Sequence, residues 1–245
     1  MKVEIWSDIA CPWCYIAKHR FDAALSQFEH REQVDVIWRS YQLDPDAPPV
    51  TNKNLNDILS EKHGLSIEEA VAMNDQMRRL GAREGLDYKF DRARYGNSFD
   101  AHRLIHFARS RGVQTGMEER LFRAYFSEGK ALGDIDTLVE LAGEIGINAD
   151  EAHVVLVSDA FADQVRADTQ TARRLGLKGV PFFMIGEKFG IAGAQTSQSF
   201  RDALAQAWME AHPRGSISGA AIVDAGCCTD DGCEALKSKA IGKAD

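Results

Sequence analysis

Near the N-terminus, Cys11-Pro12-Trp13-Cys14 separates a run that alternates like a strand from one that repeats like a helix. Residues 2–8 place Val3 and Ile5 on one face and end at Asp8. Residues 12–28 carry Ile16, Arg20, Ala23, Ala24 and Phe28 at helical spacing, with Pro12 suited to a first helical position. Val34, Val36 and Trp38 alternate as a second strand does, and Asp44 to Pro49 then breaks regular structure. The dithiol therefore opens the helix of a β-α-β unit. There Cys11 meets unpaired backbone N–H groups and the positive end of the helix dipole, both of which favour thiolate. Thiols so placed have pKa values of roughly 3.5–7.5, against ~8.5 for a free thiol. Cys14, one turn on, is expected to sit deeper and to attack a mixed disulfide from inside.

The plain alternatives are two core cysteines or half of a zinc site. Zinc takes about four ligands, and no second CxxC or HxxxH stands ready, so no metal is assigned. Five cysteines, grouped as two and three, suit redox chemistry in a reducing compartment better than a structural disulfide framework. The opening MKVEIWSD has neither a long apolar run nor a small-residue cleavage site, which gives a cytoplasmic expectation. No run reaches the ~18 apolar residues of a membrane span. A net charge of −8 argues against nucleic-acid or anionic-membrane partners.

From about residue 55 to 176 helix signals repeat. Helices are expected near 66–84, 98–112, 116–128, 134–146 and 150–175, punctuated by glycines that include Gly85, Gly112, Gly116 and Gly129. Ser66 with Glu69 fits a capping box. A long helical stretch inside an α/β chain reads as an inserted domain. Strand character returns at 182–192, where Gly186-Glu187 signals a hairpin, and residues 196–211 read as a final helix with Phe200, Leu204 and Trp208 on one face. Residues 214–245 read as a tail or extension.

Three blocks carry a family resemblance: MKVEIWSDIACPWCYIAKHRF, Asn97 to Arg103, and Gly179-Val180-Pro181-Phe182-Phe183 with Gly190 to Gln195. Over about residues 1–211 the chain resembles DsbA-type thioredoxin-fold oxidoreductases of the FrnE-like branch. The resemblance implies an α/β thioredoxin fold (1–50 and 177–213) with a large all-helical domain inserted (51–176), and a C-terminal extension (214–245). It implies a cis Val180–Pro181 bond beside the cysteines, against the usual trans preference, with the Val180 backbone pairing to an extended substrate. Trp13 is expected to shield the dithiol and contact substrate. His102 and Arg103 fall on a helix of the insertion, where the plain reading is a capped or solvated face. On the functional reading His102 stands near the dithiol, moving protons or biasing the thiolate.

The tail holds Cys227, Cys228 and Cys233. Four residues separate Cys228 from Cys233, short enough for a turn to join them, and Cys227 also permits a 227–233 bridge. Members of the FrnE-like branch can carry an additional C-terminal CX4C pair acting with the CxxC, and this segment looks like it. Exchange with Cys11–Cys14, a soft-metal site using Asp230 or Asp231, and an inert tail remain three open readings.

The leading expectation is a cytoplasmic thiol–disulfide oxidoreductase, with protein thiols or glutathione as partners and no bound cofactor. The runner-up is a glutathione-dependent isomerase or transferase, like the related 2-hydroxychromene-2-carboxylate isomerases and kappa-class glutathione transferases. Those typically have serine at the first active-site position, where this chain has Cys11. A third reading is a stress-responsive thiol or metal-binding protein acting through its tail. One fold hosts several such chemistries.

Overall fold

In the computed structural model, which describes residues 1–51 and 53–213, the alternation of the first strand becomes the two faces of a sheet. Strands β1 (Lys2–Ser7), β2 (Asp35–Ser40), β3 (Phe182–Ile185) and β4 (Phe189–Ala192) form one mixed sheet in the order β2-β1-β3-β4. β1 runs parallel to β2, with Ser7 opposite Ser40, and antiparallel to β3, with Ile5 opposite Phe183. Val3, Ile5, Phe183 and Ile185 are fully buried on one face. Helices α1 (Pro12–Ser26) and α9 (Ser197–Ala211) cover it, and Phe21, Phe183 and Phe200 meet there with ring centroids 4.5–5.6 Å apart. On the other face Trp6 donates its indole N–H to the Asp168 carbonyl (3.2 Å). The β3–β4 hairpin turns through Gly186 and Glu187, both at positive φ as an I′-type turn requires.

Between the second and third strands, the described residues form seven α-helices: α2 (Leu55–His63), α3 (Ile67–Arg83), α4 (Phe99–Ser110), α5 (Gln114–Arg123), which continues as a π-helical turn (Ala124–Glu128), α6 (Ile135–Glu144), α7 (Ala149–Val157) and α8 (Ala162–Arg174). Ser66 and Glu69 form the expected capping box at α3. Gly133 lies so close to the Pro49 carbonyl that a Cβ would stand 1.8 Å from its oxygen, so only glycine fits. Residues 1–213 form one compact unit, and no helix among the described residues is long and apolar enough to cross a membrane.

Three sequence expectations need correction. The helix expected over 150–175 is two, α7 and α8, broken at 158–161 with Phe161 at φ 63°. The break has a partner in Arg103, which donates to the carbonyls of Val155, Leu156 (3.2 Å), Ser158 and Ala160 (2.8 Å). These carbonyls belong to the last turn of α7 and to the loop after it, where few backbone amides are left to meet them. His102 and Arg103 consequently do not lie on a solvated face; both are buried, within a helix whose residues 101–108 are buried without exception. Gly116 is no breaker but sits inside α5, which starts at Gln114.

Candidate active site

The site begins where β1 ends. The Cys11 amide donates to the Asp8 carbonyl (3.0 Å), and the Cys14 amide donates to that of Cys11 (3.0 Å), which winds the chain into α1 with Pro12 in its first turn. Cys11 occupies the N-cap position in extended backbone, yet its side chain caps no helix amide. Its thiol donates instead to the Val180 carbonyl at 3.7 Å. The Val180–Pro181 peptide is cis, and the loop before β3 lies beside the first cysteine. A groove of about 400 Å³ lined by Leu177, Lys178, Val180, Pro181 and Phe182 runs beside them. Trp13 is 44% exposed.

Cys11 and Cys14 are both free and buried, Cys14 the deeper. Burial pushes the Cys14 thiol well above its ordinary range, and the neighbouring Cys11 sulfur pushes the same way. The Asp8 amide and the Ser7 hydroxyl approach Cys14 and pull in the opposite direction.

The segment between β2 and β3 holds this turn from the side. Tyr88 donates its hydroxyl to the Pro12 carbonyl (2.6 Å). Tyr15 on α1 stacks on Phe122 of α5 (centroids 4.8 Å apart) and donates to Glu119 (2.7 Å). Lys18 joins the same carboxylate at 2.7 Å. Burial opposes ionisation of Glu119, but His19, Lys18 and Tyr15 outweigh it and bring its pKa down to about 2. That cluster fastens α1 to α5.

Beneath the dithiol lies a second polar cluster that the sequence reading named only in part. His102 Nε2 stands 3.5 Å from Asp8 Oδ1. Burial works against both charges, but each partner outweighs it for the other: the imidazole pKa is raised and that of the carboxyl lowered. Asp8 also accepts from the amides of Ala10 (3.2 Å) and Leu43 (2.7 Å). His102 therefore faces Asp8 at the base of the site, while Arg103 faces away to α7. Glu118 on α5 completes the cluster, its carboxyl pushed by burial up to about 7 against the pull of His102, Ser7 and Lys18.

Glu118 and Ser7 are the residues that sequence reasoning missed. The signal was present: Gln114, Met117, Glu118, Leu121 and Phe122 recur at the spacing of a core-facing stripe and are all buried. Among the described residues no group of three or more His, Cys, Asp and Glu side chains is placed to hold a metal. Cys227, Cys228 and Cys233 lie outside the described residues.

The model of the DSBA-like thioredoxin domain matches residues 2–205. A crystal structure of a probable DsbA oxidoreductase from Streptomyces coelicolor is 40% identical, covering 97% of this chain and 100% of its own, with a TM-score of 0.80. YwbO, an uncharacterised protein of Bacillus subtilis, is 25% identical over 204 residues, 82% of this chain and 94% of YwbO. The fold is also that of a 2-hydroxychromene-2-carboxylate isomerase structure (TM-score 0.64, 15% identity, covering 86% of this chain and 98% of that one).

Proposed function

Because the chain belongs to the DSBA-like thioredoxin domain family of thiol–disulfide oxidoreductases, we propose that it exchanges disulfides with protein thiols or glutathione in the cytoplasm, through the Cys11–Cys14 dithiol. The observation that carries this reading is the Cys11 thiol at the head of α1, 3.7 Å from the Val180 carbonyl and backed by a deeper Cys14. A partner disulfide entering along the cis-proline loop meets Cys11 first. Val180 and Pro181 hold the partner's backbone, and the exposed Trp13 ring offers it an apolar contact. Cys14 then displaces the partner thiol by attack on Cys11. Two cysteines, rather than serine at the first position, favour exchange over the isomerase chemistry found on the same fold. The cytoplasmic assignment is supported by the small, odd and clustered set of cysteines. Cys228 and Cys233 supply a second couple on the same reading, through thiolate exchange with Cys11–Cys14. No bound cofactor is required.

The test is Cys14→Ser. Without the resolving thiol, mixed disulfides through Cys11 should accumulate with glutathione and with protein partners, and catalytic turnover should fall by roughly a hundredfold or more. Recovery of Cys11 as free thiol after exposure to disulfides, with turnover intact, would remove the proposal.

A further inference from the structure

Under the dithiol, three buried polar atoms from three different elements have no hydrogen-bond partner: Ser7 Oγ at the end of β1, His102 Nε2 on α4 and Glu118 Oε1 on α5. Buried polar groups are nearly always paired, so three together at one place call for an explanation. The arrangement supplies one. The Ser7 hydroxyl approaches both the Cys14 sulfur and the Glu118 carboxyl, though it meets neither at full hydrogen-bond geometry. Glu118 is 1% exposed and Cys14 is 1% exposed. A hydroxyl both donates and accepts, so it can take a proton from one side while passing its own to the other.

We infer that Glu118 receives the proton of Cys14, through the Ser7 hydroxyl, when Cys14 resolves a mixed disulfide on Cys11. This rests on the dithiol-exchange reading above. With oxidised glutathione as substrate the step balances as follows. Cys11 thiolate attacks one sulfur of the disulfide, forming the Cys11–glutathione bond and releasing one glutathione thiolate. Cys14 gives its proton to Ser7, which passes its own to the Glu118 carboxylate. The Cys14 sulfur then attacks the Cys11 sulfur, and the Cys11–glutathione bond breaks with its electron pair on the departing glutathione sulfur. That thiolate and the one released in the first step each take a proton from solvent. The dithiol has lost two electrons, and the glutathione disulfide has become two thiols.

Glu118 acts through Ser7 and so is a positioning residue in the strict sense, a proton holder one group removed from the reacting sulfur. The groups that face its carboxyl are Ser7 at the end of β1, Asp8 just after it, Lys18 on α1 and His102 on α4. His102 is in turn faced by Asp8, Glu118 and Asp168. Its charge is balanced chiefly by Asp8, which leaves Glu118 without a dedicated cation at contact distance among the described residues. A carboxyl so placed changes protonation near neutral pH, where its pKa of about 7 lies. Asp8 also lines a cleft of about 250 Å³ between α2 and the start of α4, giving the cluster an edge toward solvent through which the proton can leave.

The experiment is a single turnover of the full-length reduced protein with oxidised glutathione, acid-quenched, alkylated and read by peptide mass spectrometry. This separates the Cys11–glutathione adduct from the Cys11–Cys14 disulfide and from any tail species. In the wild type, decay of the adduct should speed up as pH rises through about 7. In Glu118→Gln it should be roughly tenfold or more slower at pH 7, with its pH midpoint moved upward, while adduct formation is unchanged. Ser7→Ala should show the same slowed decay, and it keeps the test decisive should Glu118→Gln fold poorly. Glu118→Asp should recover part of the rate. Adduct decay with wild-type rate and pH midpoint in folded Glu118→Gln or Ser7→Ala would overturn the inference and leave the exchange reading standing. A wild type that forms no adduct on Cys11 and no Cys11–Cys14 disulfide would overturn that reading, and the inference with it.

Discussion

Helix α4 carries two buried histidines one turn apart, each facing an aspartate, and the two surroundings are opposite in kind. At His106 the ring nitrogen Nε2 meets two partners. It lies 3.1 Å from Ser40 Oγ and 3.1 Å from Asp168 Oδ2. Asp168 also accepts from the Ser40 amide (3.0 Å) and from Arg39 (3.1 Å). At His102 the Asp8 contact is stretched to 3.5 Å, and the nearby Ser7 hydroxyl and Glu118 carboxyl have no partner. Ser7 and Ser40 are register partners on neighbouring strands, so the contrast arises across a single rung of the sheet. A closed polar network fixes the elements it joins; an open one keeps donors and acceptors available for a proton that comes and goes. The closed network binds β2 to α4 and α8, and the open one lies under the cysteines.

That contrast predicts where mutations will hurt stability and where they will not. The largest effect belongs to Asp168→Ala, which removes the acceptor of the Ser40 amide and one partner each of Arg39 and His106 at once. It should cost about 3–5 kcal/mol in chemical denaturation. A loss under about 1 kcal/mol would show that the closed network is ornamental. Next comes the pH dependence at Glu118. Its carboxyl pKa is raised from 4.5 unfolded to about 7 folded, so the native state holds a proton that the unfolded chain has released. That contribution is fully present below about pH 4.5 and is lost as pH rises through about 7, a total of about 3 kcal/mol. Urea melts between about pH 4.5 and 8 should therefore show a steeper decline in the wild type than in Glu118→Gln, where only the part owed to the raised His102 pKa remains; parallel curves would contradict the assignment. The smallest effect compares the two serines. Ser40→Ala breaks a made bond and should cost about 1 kcal/mol, whereas Ser7→Ala should change stability by less than about 0.5 kcal/mol while slowing disulfide resolution. Equal costs at the two positions would erase the distinction.

Local chemistry made much of this molecule readable from its residues. Cys11 to Cys14 stand at the strand-to-helix junction because Pro12 and the preceding alternation allow little else, and Ser66 with Glu69 caps α3 through neighbours three residues apart. What escaped depends on partners far along the chain. His102 and Arg103 look like a polar helix face until Asp8 and the end of α7 are brought against them. The break after Val157 has no glycine or proline to announce it; its carbonyls are met by a guanidinium more than fifty residues earlier. Glu118 and Glu119 are adjacent acids with opposite fates. One falls within the buried stripe of α5 and the other reaches Tyr15 and Lys18, and only the phase of the helix separates them.

The central strand also sets an order of events during synthesis. β1 is flanked by β2, which follows it closely, and by β3, which pairs Ile5 with Phe183 across most of the chain. At roughly 5–20 residues per second, the cysteines emerge from the ribosome on the order of 10–30 s before the loop and strand that lie over them. During that interval the nascent chain carries a dithiol without its Val180 carbonyl or its antiparallel neighbour. On the exchange reading, the protein is therefore a client of thiol–disulfide exchange before it becomes one of its agents.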